Sequence, residues 1–185
     1  TCALPISQTF DMSQGFSFIA VVNFRSSGSY QRIFDCGGVS GPYALQVSTG
    51  TTFRFELFGN ALDIPNGITI GTKRTYICVF NPSDPNGQRM TVFIDGAAVG
   101  SYFVSGITGT TTFTNFYVGK SSGVGDYYSN MDVDFLKIYN RVLTESEIGY
   151  IGASPIVYLA PTGTYPSYTT TSSPTFNTSN VSFRS

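Results

Sequence analysis

Apolar residues alternate with polar ones in many short runs along this chain, and that alternation predicts strands. Residues 16–24 form the strongest run. A period of two places Phe16, Phe18, Ala20, Val22 and Phe24 on one face. Ile19 and Val21 make the opposite face apolar as well, which predicts an inner strand. Residues 52–57 alternate more cleanly, with Phe53, Phe55 and Leu57 inward and Arg54 and Glu56 outward. Further strands are predicted over 31–36, 42–48, 67–70, 74–81, 89–95, 97–103, 113–119 and 131–139. Asn66-Gly67 and Asp95-Gly96 are dipeptides that tolerate the positive φ of tight hairpin turns. Asp95-Gly96 lies between two alternating runs and is the clearest hairpin. Many short strands at this spacing predict a sandwich or barrel.

One helix is predicted. Thr144-Glu145-Ser146-Glu147 is a capping box, in which the Thr144 hydroxyl and the Glu147 carboxylate each satisfy a free backbone N–H. Leu143 and Ile148 flank it as a hydrophobic staple. Gly149, Gly152 and Pro155 follow, so the helix is expected to be short, roughly 145–151. After residue 160 the pattern ends. About half of residues 161–185 are Ser or Thr, with Pro161, Pro166 and Pro174 among them. That composition predicts a stalk, linker or arm with no core of its own. The expected organisation is therefore a sandwich over 1–160 and an arm over 161–185.

Composition narrows the setting. The chain has 185 residues and 41% hydrophobic content, enough for one sizeable core. Charged residues make up only 11% and the net charge is −1, so there is no electrostatic footprint for nucleic acid. No apolar run approaches the ~20 residues of a membrane-spanning helix. The Thr1 start reads as a mature product or a segment of something longer. Cys2, Cys36 and Cys78 allow one disulfide plus a free thiol in an oxidising compartment. Cys78, within Tyr76-Ile77-Cys78-Val79-Phe80, reads as a small buried hydrophobe. Asn177-Thr178-Ser179 and Asn180-Val181-Ser182 are glycosylation sequons, so Asn177 and Asn180 are candidate acceptors.

Several segments resemble the laminin-G-like domains of the concanavalin A-like lectin/glucanase superfamily. Gly15-Phe16-Ser17-Phe18-Ile19-Ala20 resembles the family's opening strand, and Arg32-Ile33-Phe34-Asp35-Cys36-Gly37-Gly38 its next strand and turn. Arg74-Thr75-Tyr76-Ile77-Cys78-Val79 stands where the family usually shows a Trp and a His; this chain has no Trp, and Tyr76 replaces the His. Val92-Phe93-Ile94-Asp95-Gly96 is similar to the family hairpin, and Phe116-Tyr117-Val118-Gly119 to a later strand. The stretch from Val133 to Ile148, with Ile138-Tyr139-Asn140-Arg141 and Leu143-Thr144-Glu145-Ser146-Glu147, is similar to the family ending. The pieces keep the family's order across about residues 10–151. The resemblance implies an all-β, antiparallel two-sheet jelly roll with roles in sugar binding, adhesion or surface assembly.

Candidate chemistry is sparse. Without histidine, neither a Ser-His-Asp triad nor His-ligated zinc can be built. Glucanases of the resembled superfamily carry paired glutamates on one strand. The corresponding stretch here is Met131-Asp132-Val133-Asp134-Phe135, with Met131 and Phe135 in place of the glutamates. Asp132 and Asp134 share a face by strand period; local hydrogen bonding is the favoured role for Asp134. Calcium is the candidate cofactor that the resemblance implies, with Asp126 and Asp132 as ligands and Asn130 and Asp63 as further oxygens. For carbohydrate, the Gly-rich loop 120–130 supplies Asp126, Tyr127, Tyr128 and Asn130, aromatic faces beside polar groups. Packing of those tyrosines on the rim of the sandwich is the competing role.

The expectation is thus a non-enzymatic carbohydrate-binding or adhesion module exposed on a cell or particle surface, with a glycan or glycoprotein as partner. The alternative is a structural subunit of an extracellular filament, coat or viral capsid, whose C-terminal arm docks on neighbouring subunits. No nucleic-acid partner and no membrane insertion are expected.

Overall fold

A computed structural model describes residues 3–4, 8–28, 30–36, 42–46, 50–113, 115–121 and 128–153. The strands in chain order are β1 (Ala3–Leu4), β2 (Gln8–Asp11), β3 (Phe16–Phe24), β4 (Gln31–Asp35), β5 (Tyr43–Gln46), β6 (Phe53–Leu57), β7 (Asn60–Ile64) and β8 (Lys73–Asn81). They continue with β9 (Arg89–Ile94), β10 (Ala97–Phe103), β11 (Thr110–Phe113), β12 (Phe116–Val118) and β13 (Met131–Tyr139), and α1 (Glu145–Ala153) follows. A six-stranded sheet runs β1-β12-β4-β5-β6-β7 and a five-stranded sheet runs β10-β9-β8-β3-β13, all pairs antiparallel. β2 and β11 pair as a separate ribbon.

Alternation builds the core between the sheets. Phe16, Phe18, Ala20, Val22 and Phe24 of β3 join Phe34, Phe53, Phe55 and Leu57 from the facing sheet. Phe18 stacks on Phe34 with ring centroids 3.8 Å apart, and Tyr76 stacks on Phe53 at 4.8 Å. In a chain without Trp, these rings supply most of the large apolar area. Burial pushes the Tyr76 hydroxyl pKa upward, and that hydroxyl donates to the Gly67 carbonyl. Cys36 and Cys78 are both buried, free thiols whose pKa burial raises. Cys2 lies outside the described residues.

β3 is an inner strand, as its two apolar faces require. Its other face carries Ile19, which joins Ile77, Val79, Leu143 and Ile148 in a second cluster under α1. The capping box is formed: Thr144 N–H donates to Glu147 Oε2 at 2.9 Å, and Glu147 N–H donates to Thr144 Oγ1 at 3.3 Å. Buried Ser17 ties the helix entrance to the sheet, donating to the Arg141 carbonyl and accepting from Leu143 N–H. The helix runs two residues past the expected Ile151. Gly152 can stay helical there because it packs directly on the Asp95-Gly96 turn.

Arg141 grips Glu147 with two guanidinium nitrogens, at 2.8 and 2.6 Å. This contact, together with the Thr144 N–H, holds the Glu147 pKa at about 2, below the ordinary value of 4.5. A carboxylate lowered on folding stabilises above its unfolded pKa and loses that contribution as pH falls toward its folded pKa. Glu147→Gln is therefore expected to cost about 1 kcal/mol at neutral pH, a small effect because the pair is half-exposed. Urea titrations should show the gap between wild type and variant closing as pH drops from 4.5 toward 2.

The structure corrects several expectations. Residues 67–70 are not a strand. Asn66-Gly67 is no hairpin; Pro65 precedes Asn66 at φ 57°, and Gly67 N–H donates back to the Ile64 carbonyl at 3.1 Å, a type II turn. The hairpin in this region is Phe58-Gly59, with φ of 49° and 77°, which joins β6 to the unpredicted β7. The expected single strand 113–119 is two strands in different sheets, β11 and β12. Asp95-Gly96, with φ of 52° and 82°, is the expected two-residue turn. The arm 161–185, with Asn177 and Asn180, lies outside the described residues.

Candidate functional site

Three pieces of chain meet at one end of the sandwich. They are the turn after β3 (residues 25–28 and 30), the end of β12 (119–121) and the lead into β13 (128–130). Gly119 turns in the left-handed region at φ 71°, and its N–H donates to the Ile33 carbonyl. Lys120 and Tyr128 then pair as an isolated bridge, and Ser129 N–H donates to the Gly119 carbonyl at 2.9 Å. The base of the 120–130 loop is thus closed by backbone bonds.

One buried amide joins this base to the neighbouring turn. Gln31, 3% exposed, donates from Nε2 to the Ser26 carbonyl at 2.8 Å and accepts at Oε1 from Asn130 N–H at 2.7 Å. Ser129 Oγ donates to the Arg32 carbonyl at 2.7 Å, Arg25 N–H to the Asn130 carbonyl at 2.8 Å, and Asn130 Nδ2 to Ser26 Oγ at 3.2 Å. A Cβ at Gly28 would stand 2.6 Å from Gln31 Nε2, so a larger residue there would displace the Gln31 amide. These bonds fix the rim in position before any ligand arrives, which lowers the ordering cost of binding.

Two tyrosines stand out from the rim. Tyr128 is 56% exposed, and the Lys120 ammonium lies 5.5 Å from its ring centroid. Tyr30 is also exposed, and it adopts φ 53°. A bulky residue seldom occupies the left-handed region. The rim therefore offers aromatic faces beside an ammonium and an amide, the groups that stack on and orient a polar ring.

The expected site residues scatter in part. Tyr128 and Asn130 come together at the rim. Asp126 and Tyr127 lie outside the described residues. Asp132 projects from β13 onto Arg25, at 2.5 Å. Asp63 sits on β7 in the other sheet, where Arg54 holds it at 2.6 and 2.8 Å and lowers its pKa. Asp132 and Asp63 therefore cannot join in one calcium site. Among the described residues no three His, Cys, Asp or Glu side chains cluster as a metal site.

A bulge changes the reading of β13. Val133 pairs with Val22 and Phe135 with Val21, so Asp134 is an extra residue without a partner across the strand pair. The phase flips there: Met131 and Val133 face the core before it, Leu136 and Ile138 after it. Phe135 packs on the outer cluster beneath α1. Asp132 and Asp134 still share the outer face, as expected: Asn23 Nδ2 donates to Asp132, Asn23 pairs with Lys73, and Lys73 holds Asp134, while Arg25 holds Asp132. Sequence reasoning missed Arg25, Tyr30, Gln31 and Lys120. The available signal was an aromatic residue set in a Ser/Gly turn immediately before a strand.

The architecture is shared with known lectin-like proteins. A heptameric SAP-like pentraxin from Limulus polyphemus superposes with a TM-score of 0.59 at 15% identity, over 79% of this chain and 73% of the pentraxin. The CBM40 of a Ruminococcus gnavus IT-sialidase, solved bound to α2,3 sialyllactose, gives 0.56 at 13% identity, over 82% of this chain and 97% of that module. Botulinum neurotoxin type C, whose cell entry depends on two ganglioside molecules, gives 0.56 at 15% identity. That match spans 78% of this chain but only 36% of the toxin chain. At such identities the likeness shows the fold alone. No curated protein sequence matches the chain significantly. The laminin-G family profile of the concanavalin A-like lectin/glucanase superfamily matches residues 1–149, and this two-sheet jelly-roll chain belongs to that superfamily.

Proposed function

We propose that this chain is a non-enzymatic carbohydrate-binding or adhesion module, exposed on a cell or particle surface, whose glycan contacts the rim around Tyr128. The observation that carries the reading is the exposed Tyr128 ring with the Lys120 ammonium over it, on loops that Gln31 fixes through Asn130. Asp126 and Tyr127 of the same loop belong to the proposed contact set, with Tyr30 on its other flank. Similar folds bound to sialyllactose or dependent on gangliosides support the ligand class. The sequence supports a binding rather than a hydrolytic role, since it has no histidine and carries Met131 and Phe135 where related glucanases place glutamates. The proposed organisation keeps the sandwich over 1–160 and an arm over 161–185.

Glycan-array screening of the full chain, with and without calcium, tests this. Tyr128→Ala should weaken binding to the best glycan at least about tenfold, a typical cost of losing one stacking aromatic, and leave Tm unchanged. Full affinity in Tyr128→Ala would move the site away from this rim. Calcium dependence would bring Asp126 into play; calcium independence would leave the aromatic and amide groups as sufficient.

A second reading is a structural subunit of an extracellular filament, coat or capsid. It is favoured by the uncharged edge of β10, which no described residue pairs.

A further inference from the structure

Two edges of this sandwich are guarded. β13, one edge of the five-stranded sheet, carries Asp132, Asp134, Lys137 and the bulge at Asp134. β7, an edge of the six-stranded sheet, carries Asp63 under Arg54. Charges and bulges of this kind keep edges from pairing with other chains.

β10 differs. Its residues, Ala97-Ala98-Val99-Gly100-Ser101-Tyr102-Phe103, include no charge and no proline. Six of the seven are exposed and one is half-buried. β9 pairs on one side, and no described residue pairs on the other. The bulge at Val99 lies near the start and leaves residues 100–103 in unbroken register with β9. Val99, Tyr102 and Phe103 are 42%, 48% and 51% exposed. A row of free backbone groups flanked by large apolar side chains is a template for an added strand.

The sequence contains a segment of matching chemistry. Residues 175–183, Thr-Phe-Asn-Thr-Ser-Asn-Val-Ser-Phe, are uncharged and free of proline, so every residue can donate an N–H. Two Phe, two Thr and one Val lie along it, and these residues favour extended chain. The connection from the end of α1 covers residues 154–174 and includes Pro155, Pro161, Pro166 and Pro174. Fully extended it reaches about 70 Å, whereas a domain of this size is about 40 Å across. Gly152 packs on Gly96, so the chain leaves α1 right beside the start of β10. Folding back would require a long, proline-stiffened connection to return to its own origin. Reaching another copy costs the freedom of a second molecule but lets the connection stay extended.

We infer that residues 175–183 of one copy add as a strand to the open edge of β10 in a neighbouring copy. This deepens the subunit reading and does not depend on glycan binding. Pairing supplies backbone hydrogen bonds, while the phenylalanines of the arm cover Tyr102 or Phe103. Asn177 and Asn180 lie three apart and so face opposite sides of an added strand. Glycans on both would block docking against the sheet edge, so the test uses protein made in a host that does not N-glycosylate.

Sedimentation velocity across a concentration series should compare the full chain, a chain ending at residue 174 and full-length Val99→Lys/Tyr102→Lys. The full chain should form oligomers, and both variants should be monomers with Tm within a few degrees of wild type. A synthetic peptide of residues 175–183, added to the shortened chain, should slow amide exchange of β10 at least about tenfold. Oligomers that persist in the Lys variant, or a peptide that protects no β10 amide, would overturn the β10 assignment and leave the subunit reading standing. A full chain that stays monomeric at all concentrations would overturn both, even if its β10 amides are protected by its own arm.

Discussion

Gly152→Ala is expected to destabilise the protein by about 2 kcal/mol, although helix propensity alone would have it gain about 1 kcal/mol. A Cβ on Gly152 would stand 2.2 Å from Gly96 Cα and 2.3 Å from Gly96 N. Both are backbone atoms of a tight turn whose φ values are already fixed by the hairpin, so neither can move aside. The helix must lift from the turn, and with it Ile148 and Ile151 from the cluster over Ile19 and Ile77. Gly149 is the control. It sits in the same helix, is exposed, and has no atom within 4 Å of the place a Cβ would take. Gly149→Ala should therefore stabilise by about 0.5–1 kcal/mol. Thermal or urea unfolding of the two variants should move in opposite directions. If both stabilise, the close docking of α1 on the Asp95-Gly96 turn is wrong.

Gln31→Ala should cost about 2–4 kcal/mol, since it leaves the Asn130 N–H and the Ser26 carbonyl without their partner. The damage should be local. The six-stranded sheet keeps its ladders, while the turn after β3 and the lead into β13 lose their connection. Hydrogen exchange should rise at Asn130 and Arg25 more than at core amides such as Cys78. Gln31→Glu discriminates further. Its carboxylate still accepts from Asn130 but sets a negative oxygen against the Ser26 carbonyl, so it should be at least as damaging at neutral pH. Equal exchange at Asn130 in wild type and Gln31→Ala would mean that the rim is held by something other than this amide.

The sequence carried much of the fold because its strongest signals are local. Asp95-Gly96 needs only two residues to define a turn, and 143–148 contains both a capping box and its staple. Where local signals misled, a competing local structure had won. Pro65 converts Asn66-Gly67 into a type II turn. Phe58 takes a left-handed φ that its residue type rarely accepts, so the Phe58-Gly59 hairpin has no dipeptide signature. The β13 bulge shifts the alternation only after Asp134, so that Phe135 faces outward and Leu136 inward. The candidate site was half legible for the same reason. Tyr128 and Asn130 belong to one Gly-rich loop visible in sequence. Gln31 meets Asn130 from almost a hundred positions away, and no spacing rule anticipates that contact.

The rim around Tyr128 is the claim on which the functional account rests. Amide chemical-shift mapping tests it most directly, with the strongest glycan from the array titrated into the isotope-labelled full chain. The account predicts shifts concentrated at Tyr30, Lys120, Tyr128, Ser129 and Asn130, with β10 and the outer face carrying Arg54 and Asp63 unmoved. Shifts centred on that outer face or on β10, with the rim silent, would contradict it.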